Sequence, residues 1–359
     1  MNNQTDVLAF GPLYLDFLVN PSRRPNLLYG RERVLNDYEI SKDGFLLEDL
    51  YDDRTLQLSV SGNVIDGTAR LRLDNEETEC TYTTNVGGST ANFVVQLSHL
   101  GLSPFLIGAV GAGRYGNRLR ELLKTTYNLL FEQVGWQTLG INVIDLETKE
   151  TAMIVSGSSN RELRHQEINE ALQTIHTAQF LYAGGFFKMR QLFPYYSEIF
   201  RKAQELGCNV VLDHGRFLGE PNSSEHQETL DVVKDALQHV DIYLPNETEV
   251  TELTGNDNLE YALRVAQELG PRFVVCKTGA NGCSFVTSED SKIHHVRQEH
   301  TGQILHTAGA GDSFNGGLIK GFKEGLDIES AARLGNATAY LRITRGTYPT
   351  YLEVSQLLT

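Results

Sequence analysis

The most informative stretch of the sequence is His306-Thr307-Ala308-Gly309-Ala310-Gly311-Asp312-Ser313-Phe314-Asn315-Gly316-Gly317. Its small residues run directly into Asp312, and the apolar, glycine-spaced residues that follow predict a buried helix. A small-residue turn at a helix N-terminus exposes backbone N–H groups at the positive end of the helix dipole, where anions bind well. The stretch therefore predicts a site that could hold a phosphoryl group during its transfer.

The acidic residue of this stretch has two readings. Asp312 would repel a bound polyphosphate, but beside an incoming hydroxyl group it could accept the proton as the phosphoryl group is transferred. Alternatively, Asp312 is a helix N-cap followed by glycines that allow close packing, which is the ordinary role of an isolated Gly-Ala-Gly-Asp. The residues around these four favour the first reading.

The longer stretch closely resembles the second signature of the ribokinase-like, or PfkB, carbohydrate kinases, Asp-Thr-x-Gly-Ala-Gly-Asp-x-Phe. The resemblance implies that Gly309, Ala310 and Gly311 form an anion hole and that Asp312 is the catalytic base. At the first position, His306 replaces the usual Asp, which in the family helps to hold a monovalent cation, typically potassium. Hard cations prefer oxygen ligands, so we expect potassium to change turnover by less than about twofold. Neighbouring backbone carbonyls could still bind the ion.

The substrate side of the site is predicted from two earlier segments. The segment Asn85-Val86-Gly87-Gly88-Ser89-Thr90-Ala91-Asn92 leads into a helical pattern and resembles the family's first signature, Gly-Gly-x-x-x-Asn. Asp16 falls where the family has an Asp that hydrogen-bonds substrate hydroxyls. From the residues alone, two alternatives stay open. Asp16 could be an ordinary turn residue, and the two glycines could simply form a turn before a helix. The resemblance implies that the substrate is bound by Asp16, Gly87, Gly88 and Asn92.

The nucleotide side is predicted from three later segments. Pro245-Asn246-Glu247-Thr248-Glu249 resembles the family's Asn-x-x-Glu element, which helps to order magnesium and the phosphates, although an acid-rich helix start is the alternative. Thr278-Gly279-Ala280-Asn281-Gly282 follows a short strand and resembles the nucleotide loop, and a helix near 336–342 matches the adenine side. No Walker A sequence occurs, so ATP would be held differently from P-loop enzymes. The resemblance implies that the nucleotide is bound by Asn246, Lys277, Thr278, Gly279, Gly282 and Asn336, with Mg²⁺ at Glu249.

The order of predicted elements indicates an α/β fold with a doubly wound, mainly parallel sheet and a small β lid. Helices and strands alternate between residues 161 and 244. Residues 20–84 instead carry alternating apolar residues separated by glycine turns, and residues 141–155 predict a hairpin. We interpret 1–359 as a single ribokinase-like kinase domain with lid segments near 20–84 and 139–157. The insert near 22–55 exceeds the family's usual length, and its role is not predicted.

Another function class is suggested by Gly111-Ala112-Gly113-Arg114-Tyr115-Gly116, which matches the G-x-G-x-x-G fingerprint of dinucleotide-binding proteins. An NAD-dependent oxidoreductase would leave the turn at 309–312 unexplained, and the same residues fit a kinase element in which Gly113 replaces an Asp. A nucleoside kinase, with Phe186 or Phe187 stacked on the base, and a catalytically silent binding member also stay open. The resemblance favours an ATP-dependent phosphotransferase acting on a hydroxyl of a sugar or related polyol.

Composition limits the partners and the compartment. The 359-residue chain has a formal net charge of −15, which argues against nonspecific binding to nucleic acid or to an anionic membrane surface. Four scattered cysteines without metal-ligand spacing are typical of reduced thiols, and neither a signal peptide nor a membrane span is predicted. We expect a cytoplasmic enzyme that binds a small sugar and ATP, and the resemblance allows a homodimer formed through the lid.

Overall fold

The three-dimensional structure is a computed structural model, which describes residues 5–23, 32–35, 39–41, 44–49, 54–62, 65–73, 76–124, 126–145, 147–148, 151–174, 178–217, 221–290 and 292–358. Its strands are β1 Val7–Phe10, β2 Tyr14–Pro21, β3 Glu32–Leu35, β4 Glu39–Ser41, β5 Gly44–Asp49, β6 Arg54–Gly62, β7 Asp66–Leu73, β8 Glu76–Gly87, β9 Pro104–Ala112, β10 Tyr127–Trp136, β11 Leu139–Ile144, β12 Thr151–Ser156, β13 Phe180–Gly184, β14 Asn209–Asp213, β15 Ile242–Tyr243, β16 Phe273–Lys277, β17 Cys283–Thr287 and β18 His294–Val296. Its α-helices are α1 Ser89–His99, α2 Gly113–Leu122, α3 His165–Thr174, α4 Tyr196–Glu205, α5 Ser224–Leu237, α6 Glu247–Thr254, α7 Leu259–Glu268, α8 Ala310–Lys323, α9 Ile328–Arg345 and α10 Tyr351–Leu358.

The first sheet is mainly parallel and has the strand order β10-β9-β1-β13-β14-β15-β16-β17-β18. The seven strands β10, β9, β1, β13, β14, β15 and β16 run parallel to one another, and β17 and β18 join antiparallel at one edge. The chain adds β9 and β10 on one side of β1 before it crosses to β13 on the other side. This reversal confirms the predicted doubly wound α/β fold.

Strand β1 shows why the sheet is buried on both faces. All four of its side chains are fully buried. Leu8 and Phe10 belong to one hydrophobic core, whereas Val7 and Ala9 belong to the core on the opposite face. Because successive side chains of a strand point to opposite faces, a continuous apolar run is what a strand covered by helices on both sides requires.

The second sheet is the lid, with the order β3-β12-β11-β2-β8-β7-β6-β5-β4. Strands β11 and β12 form the predicted hairpin, with Ile144 opposite Thr151. The predicted meander is also confirmed, because β5 to β8 pair consecutively and antiparallel. The lid begins earlier than predicted, since its strand β2, which lies between β11 and β8, starts at Tyr14. Of the insert near 22–55, parts such as residues 24–31 lie outside the described residues.

The glycines that match a dinucleotide fingerprint have a packing role. Gly113 opens α2 with a φ of 81°, which an L side chain rarely adopts. A Cβ on Gly116 would lie 1.8 Å from the carbonyl oxygen of Gly111, so only glycine allows α2 to approach β9. These residues therefore follow from close strand–helix packing without any dinucleotide.

A helix that crosses a bilayer must be both long and apolar. In the parts of the chain that the structure describes, no helix combines these two properties.

Candidate active site

The predicted anion hole is the first turn of α8. Gly309 precedes this helix in a left-handed conformation with a φ of 76°, a conformation that glycine adopts without strain. The N–H of Ala310 donates to the carbonyl of Thr307, and that of Ser313 to Gly309. Among the described residues, no backbone carbonyl accepts a hydrogen bond from the amides of Gly311 and Asp312. These two amides lie at the positive end of the helix dipole, where they can bind an anion.

Asp312 lies in the same turn and is held by a chain of hydrogen bonds. The Asn92 side-chain amide donates to its carboxylate over 2.9 Å. The Asn92 carbonyl oxygen in turn accepts from the Tyr348 hydroxyl over 2.8 Å. Burial, together with the negative charge of Asp213, raises the pKa of Asp312 to about 7, while the Asn92 hydrogen bond and nearby cations oppose this shift. A carboxylate with that pKa can accept a proton near neutral pH.

An ion pair lies beneath the turn. The Lys277 ammonium, at the end of β16, donates to Asp213 at 2.8 Å and to the Leu244 carbonyl at 2.6 Å. Asn315 of α8 also donates to Asp213. The outer carbons of the Lys277 side chain lie 3.7 to 3.9 Å from where a Cβ on Gly311 would be. Lys277 therefore supports the turn from below, and its predicted contact with phosphate stays a prediction.

Asn246 and Glu249 form a reciprocal cap at the start of α6. The Asn246 side chain accepts from the Glu249 amide, and the Glu249 carboxylate accepts from the Asn246 amide, both at 2.9 Å. This capping box is the structural alternative to the family's Asn-x-x-Glu role, and the two are compatible. Burial and the Asp213 charge raise the pKa of Glu249 to about 7. The Glu249 carboxylate therefore lies in a site where a cation would stabilise its charge.

Asp16 lies in the lid, between glycines of the two neighbouring strands. It pairs with Gly140 of β11 on one side and with Asn85 of β8 on the other. A Cβ on Gly87 or on Gly140 would lie 2.1 Å from an Asp16 carboxylate oxygen. Both glycines therefore make room for this carboxylate. Gly88 has a different reason for being glycine, because it starts α1 with a φ of 90° and a Cβ there would lie 2.2 Å from the Pro12 carbonyl oxygen.

The predicted nucleotide loop lies between β16 and β17. The Thr278 amide donates to the Gly282 carbonyl at 2.9 Å. Gly279 has a φ of 58° and open space where a Cβ would be, whereas a Cβ on Gly282 would lie 2.1 Å from the Val296 carbonyl oxygen. The Asn336 side chain donates to that same Val296 carbonyl at 3.0 Å and is buried. The backbone at Gly279 is therefore open to a ligand. Gly282 instead allows the end of β18 to approach closely, and Asn336 hydrogen-bonds to the last residue of that strand.

Most of the chain is similar to a known protein family. Residues 62–349 match the model of the pfkB family carbohydrate kinases. The chain belongs to this family. A sugar kinase of Archaeoglobus fulgidus without a characterised substrate is 27% identical over 252 residues, which cover 68% of this chain and 92% of that protein. An ATP-dependent ribose-1-phosphate kinase of Halopiger xanaduensis is 27% identical over 263 residues, which cover 72% and 80%.

Solved structures support the same fold. A probable sugar kinase from Rhizobium etli has a TM-score of 0.76, with 16% identity and coverage of 99% of this chain and 98% of that chain. This likeness concerns the fold, whereas the family match and the sequence relatives show a sugar or nucleoside kinase of the pfkB family. The oxidoreductase alternative is set aside.

The stacking role considered for Phe186 is wrong, because Phe186 is fully buried and stacks on Tyr196 at 3.6 Å between ring centroids. The Phe187 side chain lies outside the described part.

Several residues of this pfkB site were not predicted as site residues. Asp213, the last residue of β14, is not among the predicted site residues, and Asn315 is predicted only as part of the signature stretch. Gly140 carried a signal, since a glycine inside an apolar strand indicates close approach by another group. Tyr348 and Arg342 carried none, because only the folded chain brings them to Asn92 and to the turn at Gly309.

Proposed function

We propose that this pfkB family member transfers the terminal phosphoryl group of ATP to a hydroxyl of a sugar or related polyol. The observation that carries the proposal is the position of Asp312. This carboxylate has a pKa raised to about 7 by burial and the Asp213 charge, and it lies in the helix turn that also presents two amides without a backbone acceptor among the described residues. A base and an anion site within one turn are the two parts that phosphoryl transfer needs.

In the proposed reaction, Asp312 accepts the proton of the attacking hydroxyl group. The Asn92 hydrogen bond fixes the orientation of its carboxylate. The new bond joins the hydroxyl oxygen to phosphorus, and the bond between that phosphorus and the leaving oxygen of ADP breaks. The amides of Gly311 and Asp312 stabilise negative charge on the transferring group, supported by the Gly309 and Ala310 turn.

The charges around Asp312 fit a divalent cation that arrives with the nucleotide. Asp213, Glu249 and Asp312 all act electrostatically on Lys277, so three carboxyl groups surround a single ammonium. Mg²⁺ prefers oxygen ligands and neutralises phosphate oxygens when bound with ATP. Glu249, directly or through water, would hold it. Asn246, Thr278 and Gly279 would then contact the nucleotide.

Asp16 is proposed to accept hydrogen bonds from the acceptor molecule. Its carboxylate lies in the space left by Gly87 and Gly140, and a carboxylate is a good acceptor for sugar hydroxyl groups. With Gly88 and Asn92 it would position the reacting hydroxyl. The Phe186 ring is not available for stacking on a base, because it packs on Tyr196, which removes one of the two rings considered for a nucleoside.

The test is ADP release measured on a panel of pentoses, hexoses, sugar phosphates, polyols and nucleosides. We expect ATP-dependent turnover with at least one sugar or polyol and its loss in Asp312→Asn. Turnover only with nucleosides would replace the proposal by a nucleoside kinase. Absence of turnover across the panel, with ATP still bound, would support a silent member.

A further inference from the structure

The guanidinium of Arg342 lies against the turn that begins α8. Its Nε and Nη2 atoms lie 3.4 and 3.6 Å from where a Cβ on Gly309 would be. Its Nη1 donates to the Gly346 carbonyl at 2.6 Å, and its central carbon lies 4.3 Å from the centroid of the Tyr348 ring. Nε is buried and finds no acceptor among the described residues.

Among the residues that the structure describes, Arg342 also has no carboxylate partner. The salt bridges of α9 involve Arg333, which pairs with Glu299 and Glu329, and Arg345, which pairs with Glu353. A buried donor without an acceptor, on a cation without a counterion, is unfavourable in a free protein. An anion placed at the adjacent turn would relieve it.

A chain of three contacts connects Arg342 to Asp312, the proposed base. Its guanidinium lies over Tyr348, whose hydroxyl donates to Asn92, and Asn92 donates to Asp312. The Arg342 charge also opposes the rise in the pKa of Asp312 that burial causes. The guanidinium is therefore positioned to act on both the anion hole and the carboxylate.

We propose that Arg342 is a resident cation of the anion hole, which stabilises the transferring phosphoryl group and takes the place of a monovalent metal ion. The inference rests on the proposed phosphotransfer. The residues here do not fit a potassium ion: His306 offers imidazole in place of a carboxylate, and a permanently charged guanidinium beside Gly309 would repel a second cation. The guanidinium would act electrostatically on the phosphoryl group from the other side of the turn at Gly309.

The first test compares Arg342→Met with Arg342→Lys and with the matched control Arg345→Met, which changes an exposed arginine of the same helix. With the acceptor found in the panel, we expect Arg342→Met to lower kcat by about 10²- to 10³-fold while the sugar KM stays within about threefold. Arg342→Lys should recover kcat to within about tenfold of the unmodified protein. Arg345→Met should stay within about twofold. A folded Arg342→Met with unchanged kcat overturns the proposal.

A second test does not depend on catalysis. Calorimetric binding of inorganic tripolyphosphate should weaken at least about tenfold in Arg342→Met and less than about twofold in Arg345→Met. A protein without phosphotransfer that still shows this difference would refute the proposed function and keep the anion-binding role of Arg342. Equal binding by both variants would refute the role itself.

The unmodified protein supplies a third test, which holds even if Arg342→Met fails to fold. Its melting temperature is compared in potassium chloride and in tetramethylammonium chloride at the same ionic strength. We expect the two values to agree, because the guanidinium already supplies the charge. A rise specific to potassium would show that the metal ion binds and would overturn the replacement.

Discussion

Replacing Asp312 by Asn removes a titrating group from the proposed anion hole with almost no change in shape. The Asn92 amide that now donates to the Asp312 carboxylate at 2.9 Å can donate equally to the new side-chain carbonyl. The variant should therefore fold and bind nucleotide. It cannot accept a proton from an attacking hydroxyl, so turnover should fall by about 10²- to 10⁴-fold, the usual contribution of a positioned base.

We expect the pKa of Asp312, the proposed base, to set the pH dependence of turnover in the unmodified protein. Because burial and the Asp213 charge raise it to about 7, about a tenth of the carboxyl groups are ionised at pH 6 and about nine-tenths at pH 8. The ionised form is the base, so kcat/KM should rise with pH and level off above a midpoint near 7. In Asp312→Asn this limb should be absent.

The same shift has a consequence for stability with a defined sign. The pKa of Asp312 rises from 3.8 to about 7 on folding, so the folded protein holds this proton more tightly than the unfolded chain. That contribution is complete below pH 3.8 and is lost as pH rises through 7. At 1.36 kcal/mol per pH unit the upper limit is about 4 kcal/mol, and because Asp312 is half-buried, solvent screening reduces the expected contribution to about 1–2 kcal/mol. Asp312→Asn should therefore gain more relative stability at pH 8, above both pKa values, than at pH 5, where less than half of the effect is present.

Two assays and one control variant test whether Asp312 is the base. ADP release measured from pH 5.5 to 9 gives the rate profile, and urea unfolding at pH 5 and pH 8 gives the stabilities. Asp231→Asn, the same change at an exposed position on α5, should leave both unaltered. An Asp312→Asn protein that kept a tenth of the unmodified turnover, or kept the acid limb of the profile, would refute the assignment of the base.

Three further predictions concern the lid and the buried ion pair. Asp16→Ala should raise the KM for the sugar at least about tenfold and that for ATP less than about twofold, since a lost acceptor leaves a substrate hydroxyl unpaired; equal increases in steady-state kinetics would contradict its placement. Gly140→Ala should act the same way, because its Cβ would lie 2.1 Å from the Asp16 carboxylate, and an unchanged sugar KM would count against the glycine pocket. Lys277→Met should lower the free energy of unfolding by about 3–5 kcal/mol, since it leaves Asp213 buried without its cation; a loss below about 1 kcal/mol in urea would show that the pair is not needed.

The sequence contained enough information for the architecture because the relevant signals are local. Continuous apolar strands such as β1 alternate with helical patterns, which predicts a parallel sheet covered on both faces. The lid was equally visible, since its strands alternate between polar and apolar residues and are joined by glycine turns. Only its extent was misjudged, because β2 begins at Tyr14 and looks from the sequence like part of the main sheet.

The hydrogen bonds and ion pairs that connect the site residues could not be predicted in the same way. Lys277 and Asp213 are 64 residues apart, and Tyr348 and Asn92 are 256 residues apart. Such contacts depend on strand order and on the path of α9, which local patterns do not determine. The individual residues of the turn were recognisable, whereas the groups that tune their charge were not.

Lys277 and Arg342 show why pairing matters more than proximity in assigning roles to these charges. Both cations lie within reach of the first turn of α8, and both oppose the rise in the pKa of Asp312 that burial and the Asp213 charge cause. Lys277 already has Asp213 as a counterion and Leu244 as a further acceptor, so an arriving phosphate gains little from it without breaking that pair. Arg342 has an unsatisfied donor and no carboxylate partner in the described chain. An uncompensated charge responds most strongly to a new anion. Lys277 is therefore better understood as the structural support of the turn, and Arg342 as the positive charge that stabilises an anion bound there.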